Sequence, residues 1–262
     1  MAPSTSSVQE VPAATVPAHA MARTSLAVLT KYSPLQYRTQ RGDPVMTVEN
    51  EAQAPVAEAP AAAAAPAANP SLFALPCFLV GSITLGLWLV GYLPAALPGG
   101  LVPAVFFAAG IGVLASGLWA ARAGQSAIAG IFGMFGVFWM SFGFMVMGLV
   151  NGWFGVSATD ATAAASQIQS LQATFLISWL VVLVVVTLAT MRLPLAFTLL
   201  FVVVDIAVAL VLAGVLGGST GMLTGGGIAV FVFCLIGIYL FYDAMNQELG
   251  GRALPMGAPV VK

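Results

Sequence analysis

Six runs of about 20 apolar residues fill the chain from residue 74 onward, and a run of that length crosses a hydrocarbon core of about 30 Å as a helix. They fall at roughly 74–93, 102–121, 127–149, 170–190, 195–214 and 222–243. Inside a bilayer each backbone N–H and C=O needs an internal partner, which a helix supplies within one segment. Only 6% of the 262 residues are charged, against about 25% in soluble domains. The expected fold is an all-α membrane protein with six transmembrane helices. Short turns bearing Gly or Pro separate the spans, and 150–169 is read as the one longer connection.

The basic residues test the helix count. Arg23, Lys31, Arg38 and Arg41 precede the first span, Arg122 joins the second and third, Arg192 joins the fourth and fifth, and Arg252 and Lys262 follow the sixth. With six spans all eight lie on one face, whereas an odd count splits them. The loops at 94–101, 150–169 and 215–221 carry only Asp160. The positive-inside rule then places both termini in the cytoplasm, in a multi-pass protein of the cell membrane.

Two domains are expected. Residues 1–68 are rich in Ala, Pro, Ser and Thr, a composition that buries too little apolar surface to order itself, and read as a disordered cytoplasmic tail. Residues 69–258 form the transmembrane domain. Within it glycines recur along the first three spans, among them Gly81, Gly86, Gly110, Gly117, Gly133 and Gly136. Helices in lipid associate through close backbone approach at small residues, so these positions read as packing contacts.

Several chemistries are excluded by what the chain lacks. Its one histidine, His19, lies in the tail, so a Ser-His hydrolase has no base in the membrane. No catalytic set, no metal-ligand cluster, no phosphate loop and no cofactor site is expected, and no basic stripe suits nucleic acid. Cys77 and Cys234 both sit in spans, read as small apolar filler without a disulfide.

The intramembrane acids are the sharper signal. Asp205 lies near the middle of the fifth span, where a charge costs a few kcal/mol on insertion scales, ~3. It must face protein or water, or be protonated. Two roles stay open for it, a proton relay and a hydrogen bond to a hydroxyl on a neighbouring helix. Asp243, at the cytoplasmic end of the sixth span, reads as a wetted end-of-helix acid. Phe78 and Ser82 share one face of the first span at i, i+4, and Phe135 lies between Gly133 and Gly136 in the aromatic third span.

Asn69-Pro70 before the first span, "GYLP" at 91–94, Gly117 and Gly124 around Arg122, "FGVFW" at 135–139, Trp179, and Asn246, Arg252 and "LPMG" at 254–257 together resemble the acetate uptake transporter family, the succinate–acetate permease group. The resemblance implies six-helix protomers in a homohexameric ring, each with its own pore for acetate and related small carboxylates, and proton-linked uptake. It implies that Asn69 and Pro70, the entrance motif, open the first span from the cytoplasmic side, Pro fixing the backbone and Asn capping the helix. It implies a mid-pore hydrophobic narrowing of Phe78, Phe135 in place of the family's Tyr, and either Phe201 or Val204. Ser82 is expected to supply hydrogen bonds beside it.

The expected function is thus a permease for acetate and related carboxylates, with succinate a further candidate, and with the lipid bilayer and protons as its other partners. An anion, ammonium or gas channel on the same scaffold and a non-transporting membrane scaffold protein are the alternatives.

Overall fold

The computed structural model describes residues 69–262; the expected tail at 1–68 lies outside them. The described residues are helical throughout their ordered elements, with six helices long and apolar enough to cross a membrane. α1 spans Ser71–Leu89. The second span, Pro98–Arg122, begins with a 3-10 turn at Pro98–Leu101 and a π-helical stretch at Pro103–Ile111. It continues as α2, Gly112–Arg122. Pro98 and Pro103 stand at the starts of these pieces, where a missing N–H leaves no helical bond unmade. α3 is Ser126–Val150, α4 Ala161–Thr190, α5 Leu195–Gly217 and α6 Thr220–Glu248.

The sequence boundaries shift at two places for local reasons. The first helix ends at Leu89 rather than 93, because Gly91 takes a left-handed φ of 85° and Tyr92 N–H folds back to donate to Leu87 C=O at 2.9 Å. The fourth helix starts at Ala161 rather than 170, so the long connection is half the length expected. Asp160 caps it, its Oδ1 accepting from Thr162 N–H at 2.9 Å and Ala163 N–H at 3.0 Å. The intervening Ala, Ser and Gln residues are helix formers without being apolar.

The helices pack in a closed cycle. α1 lies between the second span and α6, α6 packs on α5, α5 on α4, and the second span on α3. α3 and α4 touch only lightly, so the cycle is loosest at that seam. Large apolar side chains such as Phe107 and Leu118 in the second span, Val181 and Val185 in α4, and Leu235 in α6 point outward. Such a surface suits lipid, and the chain is a multi-pass membrane protein.

Small residues set the closest approaches. A Cβ on Gly117 would meet Gly133 N at 2.6 Å, and one on Gly110 would meet Met140 Cγ at 2.6 Å. Gly133 itself has open space where its own Cβ would stand. The contact is therefore one-sided, which gives an internal control. Gly117→Ala is expected to destabilise the purified protein by about 1–3 kcal/mol through overpacking, whereas Gly133→Ala leaves its thermal midpoint near the parent value. Equal midpoints for the two variants would contradict the packing described.

Candidate functional site

Two cavities occupy the middle of the bundle, one toward each end. The outer cavity, about 360 Å³, is walled by α1, α3, α4, α5 and α6, and reaches the end of the bundle where Ala95, Pro98 and Val150 lie. The inner cavity, about 390 Å³, reaches the opposite end, where Asn69, Leu193, Gln247 and Met256 lie. Each is of the size of a small-molecule site. Phe78 and Phe135 belong to both walls, so these two rings stand between the cavities.

The partition is a cluster of edge-to-face rings. The Phe78 and Phe135 centroids are 5.7 Å apart at 84°, and Phe135 and Phe201 are 5.5 Å apart at 64°. Trp139 also meets Phe78 edge-to-face at 6.2 Å and 71°, while Phe233 from α6 completes the cluster tilted at 38°, 5.6 Å from Phe78. Such T-shaped pairs add about 0.5–1.5 kcal/mol each beyond burial. Phe135 is only 5% exposed. The two candidates on α5 divide by level, Phe201 lining the inner cavity and Val204 the outer one. Phe201 is the one whose ring meets Phe135. Phe233 was not singled out from the sequence, and its place one helix away from the resembling motifs left no signal for it.

The remaining sequence candidates separate. Asn69 lines the inner cavity and its Oδ1 accepts from Ser71 N–H at 3.2 Å. Pro70 is fully buried, and its carbonyl accepts from Phe73 and Ala74 N–H at 3.2 and 3.0 Å. Ser82 lines neither cavity. It is fully buried and lies against the Cys234 thiol across the α1–α6 contact. Asp205 also lines neither cavity. It faces α4, where the Thr187 hydroxyl donates to its Oδ2 at 2.7 Å.

Asp243 departs from its expected wetted position. It is 6% exposed, lines the inner cavity, and accepts from Gln247 Nε2 and from Leu254 N–H, each at 2.7 Å. The second bond reveals a strap: the chain after α6 runs back across the mouth of the inner cavity. Along it Tyr239 O–H donates to Pro255 C=O at 2.8 Å and Asn246 Nδ2 to Arg252 C=O at 2.7 Å. Ala196 N–H, an otherwise free donor in the first turn of α5, donates to Met256 C=O at 3.0 Å. Met256 thereby becomes part of the cavity wall.

No Lys or Arg lines either cavity, and Asp243 is the ionisable group in their walls. Arg122, Arg192, Arg252 and Lys262 are all exposed at the surface instead. Among the described residues no group of three or more His, Cys, Asp or Glu is placed to hold a metal. The geometry is that of two chambers separated by hydrocarbon rings, with little polar surface in one and a single acid in the other.

These features define a six-helix membrane protein enclosing two internal chambers, and comparison with known proteins narrows the class. The sequence profile of the GPR1/FUN34/yaaH family matches residues 52–250, and the chain belongs to that family. The fold is shared with the solved structure of the bacterial acetate channel SatP, at 23% identity and a TM-score of 0.61, covering 72% of this chain and 99% of that one. A search of curated proteins finds no match.

The strap yields a direct test. Asp243→Ala removes the acceptor of the Leu254 amide, a loss of about 1–3 kcal/mol for a buried donor left unpaired. Hydrogen exchange at 252–257 is expected to accelerate by one to two orders of magnitude, while the exchange of α3 stays as it was. Unchanged exchange at Leu254 would show that the strap does not depend on this carboxylate.

Proposed function

We propose that the chain is a permease for acetate and related small carboxylates, with succinate at the upper limit of size. Each protomer moves its substrate through the outer cavity, past Phe78, Phe135 and Phe201, and into the inner one. The observation that carries this reading is the ring partition between two cavities that open toward opposite ends of one bundle. Membership of the GPR1/FUN34/yaaH family and the fold shared with an acetate channel support the substrate class.

The form in which the acid crosses follows from magnitudes. Burying an ion in an apolar site without a partner costs several kcal/mol, and neither cavity wall offers a Lys or Arg. Protonating the acid instead costs about 1.4 kcal/mol for each pH unit above its pKa. At one or two units above, the neutral acid is the cheaper cargo. Uptake is then proton-linked because the substrate brings its own proton, and Asp205, bonded to Thr187 away from both cavities, pairs α4 with α5. Hydrated cations and large solutes are stopped at the rings by dewetting.

The protomers assemble as a homohexamer in this reading. Phe107, Ile111 and Leu118 support it, since they form an exposed apolar stripe along the second span at spacings of four and seven residues. Both termini lie in the cytoplasm, with 69–258 as the transport domain, and the protein performs no catalysis.

Purified protein in vesicles tests the reading. Labelled acetate is expected to enter several-fold faster than into empty vesicles when the outside is acidic, and equal rates under every imposed gradient would refute it. Phe135→Ala removes the central ring. It is expected to admit larger acids, such as butyrate, at least about tenfold faster relative to acetate, and an unaltered ratio would move the narrowing elsewhere. Asp205→Asn is expected to keep the pH dependence of uptake while lowering thermal stability. Loss of that dependence would make Asp205 the proton relay.

A further inference from the structure

The strap that follows α6 lies across the inner cavity without belonging to any helix. From Gly251 to Gly257 only Leu254 and Met256 are half-buried, and the other residues are exposed. Little apolar surface fixes the segment, so hydrogen bonds hold it, and they come from two sides of the mouth. On the α6 side Leu254 N–H donates to Asp243 Oδ1, Tyr239 O–H to Pro255 C=O and Asn246 Nδ2 to Arg252 C=O. On the far side Ala196 N–H donates to Met256 C=O at 3.0 Å, Leu195 N–H to Gly257 C=O at 3.4 Å and Val261 N–H to Met191 C=O at 2.9 Å. The strap therefore joins the end of α6 to the turn between α4 and α5. Two glycines in left-handed conformations bracket it, Gly250 at φ 83° and Gly257 at φ 76°. Beneath it Asp243 is only 6% exposed, although it lies near the end of its helix.

We propose that residues 251–257 are a hinged gate on the inner cavity, which swings about Gly250 to free the passage past Met256 and holds the chamber closed between such movements. The inference rests on the transport reading and gives its inner chamber a door. Segments held by solvent-facing hydrogen bonds and few apolar contacts are the ones that open first, and hinges are loop positions that absorb a change in φ and ψ. Gly250 meets both conditions, since a Cβ built there would touch nothing within 4 Å. The bonds that opening breaks are exchanged for bonds to water, which reaches the exposed strap along its length. Met256 is the strap residue in the cavity wall. Its unbranched thioether chain can withdraw and reseat against Leu193 and Phe197 without matching a fixed shape. The rings and the strap then act in series, the rings on which solute crosses and the strap on how fast the inner chamber empties.

A reversible lock tests the gate. A Cβ on Gly251 falls 2.5 Å from Asn246 Cγ, close to where a cysteine sulfur at 246 would stand, so Asn246→Cys with Gly251→Cys is placed to close a disulfide. That bond fastens the root of the strap to α6. The pair is put into the full-length protein carrying Cys77→Ala and Cys234→Ala. Oxidation is expected to lower labelled-acetate flux into vesicles at least about tenfold, and reduction to restore it, with the acetate-to-butyrate ratio the same in both states. Hydrogen exchange reads the movement apart from transport. The Ala196 amide, released when Met256 leaves it, is expected to exchange about tenfold more slowly after oxidation, while α3 is unaffected. Equal flux in the two states, with the disulfide formed, would overturn the gate and leave the transport reading intact. Wild-type protein that moves no acetate would refute transport alone; the gate would then be decided by Ala196, equal exchange in the two states overturning it. Should the cysteine pair not fold, exchange in the wild-type protein decides. A strap that moves as one body gives Leu254 and Ala196 the same protection, and unequal protection would overturn it.

Discussion

The edge-to-face contact of Phe78, Phe135 and Phe201 is the constraint on which the rest of the structure depends. Three helices that are distant in sequence each contribute one ring, and together the rings divide the interior into two chambers. A bundle of apolar helices would otherwise be free to collapse onto its own axis, because lipid offers no hydrophobic drive to choose one packing over another. The rings are large enough to keep the helices apart above and below themselves while sealing the level at which they meet. Glycines do the opposite work at the periphery: Gly117 draws α2 onto α3, and Gly110 draws the second span onto Met140. Tight contacts outside and bulky ones inside are what leave a lumen.

Polarity is distributed to match. Among the described residues the basic side chains stay at the surface, where water solvates them, and the chamber walls are lined by aromatic and aliphatic side chains, a few amides and one carboxylate. Asp243 anchors the strap that shapes the mouth of the inner cavity.

The six spans and their order were legible before any coordinates, and the resemblance named Phe78 and Phe135 while leaving the α5 position open between Phe201 and Val204. Length and hydropathy fix a span, and the resembling motifs carry the rings. Direction around each helix was not legible. In a uniformly apolar helix the 3.6-residue pattern has no polar face to contrast with, so Ser82 turned toward α6 with nothing in the sequence to say so, and for Asp205 a hydroxyl partner on a neighbouring helix was one of two open roles until Thr187 was placed beside it. The early start of α4 escaped because its first turns are polar and depend on the Asp160 cap. The strap escaped because Leu254 bonds Asp243 through an irregular segment that carries no periodicity. Phe233 was one aromatic among many until α6 was placed beside α1.

The central claim is that rings without charge pass the acid in its neutral form. Acetate flux and electrical current recorded together in vesicles, from pH 5 to pH 8, test it most directly. The account predicts flux that carries no net charge and falls about tenfold for each pH unit above the acid's pKa. A current that matches the flux charge for charge, and that persists at pH 8, would contradict it.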